Sequence, residues 1–390
     1  MPYTAPKVYR AETLTGTYSE VTGIQSVNIT RGRQRSQDPF SGSTCVIELI
    51  PANSYAIPLA LGQFVDIRDS NSAASPCYYA GRITDIQRRY DVPYNSGTGA
   101  APGDRIILVV SGGLGVVGAN ITNITTNLLN GYDAISQISG IFAGGVYVFI
   151  NAPYSFIPPD KDIWSGVFTS GQTIQAGTSG LSVVSKLLNM AQWIADDYDQ
   201  TRAQYGGYNY GIVVQPPGAS GTPITFTDDG SAGFKYQTIE YLSSLQSSFS
   251  TIAVEPDGLT KQFSTNVSST LNNTLTVETY DQTTTQAKNL ADYLLTVSTQ
   301  SQPAPFVIET SSAASDTAGE LGRFTTYPIG TAATVKFRGS TVFAMVQGWS
   351  IAYYADMARI RCYLSPSLGT WFTLNSTAFG VLDTNRLGYP

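Results

Sequence analysis

Short runs of apolar residues alternating with polar ones, set near both ends of the chain, confine this sequence to folds built from sheets. Cys45, Ile47 and Leu49 alternate with Thr44, Val46 and Glu48, and Val65 and Ile67 alternate with Phe64, Asp66 and Arg68. Tyr79-Ala-Gly-Arg-Ile-Thr-Asp-Ile86 reads as another strand, with Gly81 at an expected bulge. After a loop rich in Pro, Gly and Asn (91–103), the run Arg105-Ile-Ile-Leu-Val-Val110 closes the set. Near the other end, Trp349, Ile351 and Tyr353 share one strand face, and Ile360, Cys362 and Leu364 share the next. Strands this short, with turn residues between them, predict a barrel or sandwich.

Three helices are expected among the strands. Leu181, Val184, Leu187, Leu188, Ala191, Ile194 and Ala195 fall on one helical face, with Thr178 or Ser179 as its cap. A second helix near 236–250 would group Ile239, Leu242, Leu245 and Phe249. It would run into a hairpin from Thr251 to Phe263 that turns at Asp257-Gly258. The third starts at Thr283-x-x-Gln286, the spacing of a capping box, and buries Ala287, Leu290, Ala291, Leu294 and Leu295 before Pro303 ends it. No internal repeat of solenoid length is visible. The expected class is mainly β, a β-rich α+β chain. A β-barrel would occupy 1–115, a mixed middle with one helix 116–225, a helix and hairpin 226–275, and a helix followed by a second barrel 276–390.

The 390 residues suffice for two or three domains, yet only 13% are charged, about half the usual share of roughly 25%. Ser, Thr, Asn, Gln, Gly and Tyr must therefore cover the surface, and such a surface loses its water at little cost. That favours a surface destined to become interface. The net charge of −6 argues against a grip on nucleic acid, although an acidic wall can still line a DNA conduit. Histidine is absent, which removes Ser-His-Asp and Cys-His catalysis and His-ligated zinc, leaving mainly carboxylate-pair and Lys/Tyr mechanisms. Cys45, Cys77 and Cys362 form no CxxC pair; Cys45 and Cys362 read as buried thiols, which suits assembly in a reducing cytoplasm. Neither an apolar signal core nor a stretch of about 20 apolar residues is expected, so no membrane span is read here. The Asn-x-Ser/Thr triplets at Asn28, Asn120, Asn123, Asn266, Asn272 and Asn375 are accordingly read as unmodified.

Three passages resemble the baseplate-hub and minor tail proteins of long-tailed phages. The first holds Val27-Asn-Ile-Thr-Arg-Gly-Arg33 and Asp38-Pro-Phe-Ser-Gly-Ser-Thr-Cys-Val-Ile-Glu-Leu49, followed by Leu61-Gly-Gln-Phe-Val65 and Gly81-Arg-Ile-Thr-Asp-Ile86. The second runs from Gln237 to Phe263. The third begins at Ala287-Lys-Asn-Leu-Ala-Asp-Tyr-Leu-Leu295 and continues through Pro303–Glu309, Ile329-Gly-Thr-Ala-Ala-Thr-Val335, Val346-Gln-Gly-Trp349, Leu364-Ser-Pro366 and Phe379-Gly-Val-Leu-Asp383. The resemblance implies two tube-like β-barrels, one from each end of the chain, and a homotrimer whose six barrels form a pseudo-sixfold ring. Such a ring joins the tail tube or distal tail protein to a central tip or fibre protein in the virion. DNA passes through it without specific binding, and neither cofactor, metal nor catalytic residue is implied. A hexameric distal tail protein, or another minor tail protein touching host carbohydrate, is the nearest alternative, and a carboxylate-type glycoside hydrolase is the rival from another class.

Several motifs have competing readings. Gly113-Leu-Gly-Val-Val-Gly118 matches a dinucleotide fingerprint, but the β-branched, Asn-rich residues after it are poor helix formers, so a flexible interdomain linker is expected. Asp196, Asp197 and Asp199, like Asp228-Asp229, read as solvated turns unless they face one another across a cleft. Arg31, Arg33 and Arg35, with Arg88 and Arg89, are the candidate subunit interface, where guanidinium groups would pair with an acidic neighbour; a solvated hairpin is the other reading. Tyr205, Tyr208 and Tyr210 in a Gly-rich loop would pack on a neighbour or on their own core, or stack on sugars.

Overall fold

The computed structural model describes residues 5–35, 38–50, 59–70, 75, 77–90, 104–119, 126–128, 147–150, 172–192, 194–198, 211–215, 223–241, 249–269, 272–299, 306–311 and 329–366. The first third of the chain lays down β1 (Lys7–Ala11), β2 (Ser19–Val21), β3 (Ile24–Gly32), β4 (Thr44–Leu49), β5 (Phe64–Arg68), β6 (Cys77–Arg89) and β7 (Arg105–Ser111), then helix α1 (Gly113–Ala119). The middle adds β8 (Thr126–Leu128), β9 (Tyr147–Ile150), β10 (Gln172–Ile174), α2 (Gly180–Ala191), β11 (Ile194–Tyr198) and β12 (Gly211–Gln215). Next come β13 (Ile224–Thr227), β14 (Phe234–Lys235), β15 (Thr238–Tyr241), β16 (Thr251–Pro256), β17 (Gln262–Thr265), β18 (Thr274–Thr279) and α3 (Thr284–Thr299). The last strands are β19 (Phe306–Ser311), β20 (Ala332–Phe337), β21 (Ser340–Tyr353) and β22 (Ala358–Pro366). The protein is mainly β, as the alternation requires.

Fourteen strands form one sheet, and its order exposes a repeat. The N-terminal set runs β3-β4-β7-β6-β5-β1-β2; the C-terminal set runs β15-β19-β22-β21-β20-β13-β14. Matched in chain order, the seven strands of each unit have the same neighbours. The two outermost strands differ in sense, since β1 is antiparallel to β5 whereas β13 is parallel to β20. The long central strands β6 and β21 match in detail. Each carries a bulge, between Ile83 and Asp85 and between Val346 and Gly348. Just before each bulge, a two-way backbone pairing ties the strand to a Gly segment: Gly62 N to Ile83 O (2.8 Å) and Ile83 N to Gln63 O (2.9 Å), against Gly330 N to Val346 O (2.7 Å) and Val346 N to Thr331 O (2.9 Å). Gly62 and Gly330 both sit at positive φ, +84° and +90°, where a Cβ would be strained. The Leu61-Gly-x-x-Val65 segment and the segment starting Ile329-Gly330 are thus equivalent positions in two copies of one unit.

The units join within the chain. β21 pairs with β3 from Gly348↔Gly32 to Tyr353↔Val27, and residues of both, including Ile29, Ile47, Leu108, Trp349, Ile351 and Ile360, share one core. At the mouth of this seam Gly348 is indispensable: a Cβ there would lie 2.5 Å from Arg33 O and 2.6 Å from Arg31 O.

Two smaller bodies flank the sheet. α2 packs Val183, Val184, Leu187, Leu188 and Met190 against Ile212, Val214 and Leu114. Between β15 and β19 the chain inserts the β17-β16-β18 sheet, covered by α3 through Ala287, Leu290 and Ala291 on Ile252 and Val254. The capping box forms as expected: Gln286 N donates to Thr283 Oγ1 (3.1 Å), and Thr283 N donates back to Gln286 Oε1 (3.2 Å). The Asp257-Gly258 turn also forms, with Gly258 at φ +75°.

Other expectations are corrected. The helix proposed near 236–250 is strand β15 over Thr238–Tyr241, because Ile239 pairs with Ile308 of β19 and long-range pairing outweighs a locally helical spacing; Leu242 and Leu245 lie outside the described residues. α2 ends at Ala191, so Ile194 and Ala195 belong to β11. Ser179 is its N-cap residue but makes no side-chain cap bond; its hydroxyl donates to Gly118 O (3.2 Å). The register shifts of β6 fall after Ile83 against β7 and around Tyr78 against β5, not at Gly81; Gly81 is required because a Cβ would sit 2.6 Å from Ser111 O. Asp66 and Arg68, which alternate with Val65 and Ile67, are buried too, paired at 3.1 Å. Gly113–Ala119 is a helix packed through Leu114, not a linker.

Candidate functional site

Two aspartates expected in solvent lie instead at a junction of the two repeated units, α1 and the middle segment. β11 carries Asp196 and Asp197 into the interior; both are buried. Arg31, at the end of β3, meets Asp196 in a fork, Nε to Oδ1 at 3.1 Å and Nη2 to Oδ2 at 2.9 Å, and Nη2 also donates to Asp197 O. Ile329 N, just before β20, donates to Asp196 Oδ2 (2.8 Å). Asp197 accepts Ser43 N on Oδ2 (2.7 Å) and Leu114 N on Oδ1 (2.6 Å). The Arg31 guanidinium lies 5.1 Å from the Trp349 ring centre. One Asp-Asp step therefore links both repeated units, the start of α1 and the middle segment.

This geometry explains the glycine pattern. A Cβ on Gly112 would meet the Asp197 carboxylate at 2.6 Å, and one on Gly42 would meet Gly115 N at 2.1 Å. Gly112, just before the fingerprint glycines, clears space for a carboxylate of the same chain, which occupies the amide of Leu114, and Gly42 clears space for the backbone of Gly115. Burial pushes the Asp197 carboxyl above the ordinary carboxylate range, and the two backbone amides pull against that shift. Nothing here is poised for chemistry: each carboxylate oxygen is committed to Arg31 or a backbone amide, and the two side chains bind different partners.

The candidate interface arginines separate. Arg31 is buried, and its acidic partner is Asp196 of its own chain, so the solvated-hairpin reading does not hold for it. Arg33 is half-buried, donating to Gln347 Oε1 (3.1 Å) and Asp38 O (3.1 Å) and stacking over Phe40 at 4.5 Å. Burial lowers its pKa to about 10, with Asp38 opposing. Arg35 is also half-buried, its backbone N–H bound to Asp38 Oδ2 (2.9 Å). Arg88 and Arg89 are exposed at the far end of β6, where Arg88 Nη2 donates to Leu59 O (2.9 Å). Asp228 and Asp229 do form a solvated turn: Asp228 accepts Arg338 N (2.7 Å), and hydrogen bonds from Ser231 and Thr227 hold the Asp229 carboxyl well below its usual range. Asp199 and the tyrosines at 205, 208 and 210 lie outside the described residues. Cys45, Cys77 and Cys362 are buried thiols. Among the described residues no group of three or more His, Cys, Asp or Glu is placed to hold a metal ion, and no helix is long and apolar enough to cross a membrane. The sequence offers only a weak signal for the junction: in a chain so poor in charge, an Asp-Asp step directly follows Trp193-Ile194-Ala195 and an Arg stands beside a glycine, but neither names its partner.

This fold is shared with several solved structures of tail proteins. The 43 kDa tail protein of prophage MuSo2 from Shewanella oneidensis shares it at a TM-score of 0.58 and 13% identity, over 92% of this chain and 98% of that one. A tail protein from Neisseria meningitidis matches at 0.59 and 12% identity, over 94% and 97%. A component of the type VI secretion system of Escherichia coli, described as structurally similar to tail proteins of bacteriophage T4, matches at 0.51 and 10% identity, over 88% and 73%. No family model matches the sequence, and no curated protein is similar to it. The likeness first read from the strand motifs holds at the level of fold.

Proposed function

We propose that this chain is a structural subunit of a phage tail tip, a hub that joins the tail tube to the distal tip and lines the passage for DNA. The observation that carries this reading is the repeat: two units of one strand order, already paired side by side through β3 and β21. Three such chains supply six units and match a sixfold tube to a threefold tip, which a chain with one unit cannot do. The low charge fits a molecule whose surface becomes interface, and the acidic balance keeps DNA from sticking. The function requires no catalysis, and the subunit is assembled into the virion from the host cytoplasm.

Imaging of the assembled tail tests the assignment. Threefold density with two units per chain, continuous with the tube, is the expected result; six copies in a sixfold ring would make it a distal tail protein. A polysaccharide-degradation assay should show no turnover, and turnover abolished by Asp228→Ala would establish the hydrolase instead. Asp197→Ala would not serve as a control, because that carboxylate accepts the amides of Ser43 and Leu114 in the interior.

A further inference from the structure

The internal seam is a template for a contact between chains. Anchoring the two units at their bulges makes Ile83 equivalent to Val346, and therefore Arg88, Arg89 and Tyr90 equivalent to Ile351, Ala352 and Tyr353. Following the ladders outward through β7 and β22, then β4 and β19, makes Ile239, Glu240 and Tyr241 equivalent to Val27, Asn28 and Ile29. In the seam, Val27, Asn28 and Ile29 pair with Tyr353, Ala352 and Ile351. The counterpart of that pairing is not made among the described residues. Among the described residues β15 pairs with β19 alone, and no strand lies along the side of β6 past its bulge that β21 gives to β3.

Side-chain exposure marks the same two edges. Tyr353 and Ile29 are buried in the seam, at 4% and 1% exposure, whereas their equivalents Tyr90 and Tyr241 are each 43% exposed. Glu240, which also accepts a long 3.5 Å contact from Arg361 Nη2, lies on one edge and Arg89 on the other, and both are exposed. We propose that β15 of one chain adds to β6 of a second copy in the register of the β3–β21 seam, setting Ile239 opposite Tyr90, Glu240 opposite Arg89 and Tyr241 opposite Arg88. The contact is head to tail: each copy gives one edge and receives the other, so it propagates until the rotation closes a ring. It buries the two tyrosines, pairs Glu240 with Arg89 across the strands and lays an arginine beside an aromatic ring.

This inference rests on the assembly reading above, and the experiment separates the two. Residues directly opposite in an antiparallel pair have Cα atoms roughly 4.5–5.5 Å apart, within disulfide reach. The full chain carrying Glu240→Cys with Arg89→Cys, oxidised and run without reductant, should give a ladder of cross-linked multimers, and neither single variant should give one beyond a dimer. In parallel, Glu240→Arg or Arg89→Glu alone should weaken self-association about tenfold or more in sedimentation, and the two together should restore it to within about threefold. Oligomers in native mass measurement that neither cross-link nor respond to the charge changes would overturn the register while leaving the assembly reading intact. A chain that is monomeric in native mass measurement and yields no cross-link would overturn both.

Discussion

Arg31 spends its charge entirely inside the molecule, where the attraction to Asp196 must offset the removal of both groups from water. Replacing the pair together with apolar residues would cost little, but removing one partner strands the other. Arg31→Ala should therefore destabilise the chain by about 3–5 kcal/mol in urea unfolding, while Arg89→Ala should stay within about 0.5 kcal/mol. Asp281 presents the opposite case. It lies buried between β18 and α3, takes one hydrogen bond from Thr279 (2.7 Å) and leaves Oδ1 with no partner. Burial raises its pKa to about 6. Because the folded state holds this proton more tightly than the unfolded one, stability falls as pH rises from about 4, the unfolded value, to about 6, and stays lower above that. Asp281→Asn should flatten that slope and add about 2–3 kcal/mol at pH 7.5 relative to wild type, with little change at pH 4, again by urea unfolding at the two pH values. Neither role was legible beforehand, since an Asp in a turn and an Asp in a core look alike until a partner from elsewhere in the chain is placed beside it.

Elements were legible where their own residues decide them. Thr283 and Gln286 make their box from four adjacent residues, and Asp257-Gly258 sets its turn alone. The strand of residues 44–49 followed from alternation, because one face lies in the core, and that of 105–111 from an unbroken apolar run, of which alternate residues are buried. The misreading of 236–250 arose because Ile239 takes its conformation from β19, whose residues come after a long insertion. That insertion also concealed the repeat: equivalent residues are offset by one interval at β3 and β15 and by another at Gly62 and Gly330, so no constant period runs through the sequence. At this scale the seam makes a sharp prediction. Gly348→Ala drives a methyl group into the backbone of Arg31 and Arg33 and should cost about 1–3 kcal/mol, whereas alanine at Gly258, where a Cβ meets nothing within 4 Å, pays only for its positive φ, about 1 kcal/mol.

For the whole molecule, resistance to heat should depend on concentration. If copies associate only when folded, the midpoint of thermal unfolding rises with protein concentration by mass action, and the Glu240→Arg variant should lose that dependence while keeping the midpoint of dilute wild type. Differential scanning at two concentrations a hundredfold apart checks this. The effect should vary little with salt, because the proposed contact contains a single opposed pair of charges and relies mainly on aromatic area.

The pairing of β3 with β21 has a kinetic consequence. Two separate units would have to find each other by diffusion, whereas units on one polypeptide meet at the high local concentration their tether imposes. Every chain leaves its own folding with one joint already closed, so a hoop of six such units drawn from three chains would need two encounters between molecules instead of five, and would have fewer occasions to stall as a fragment.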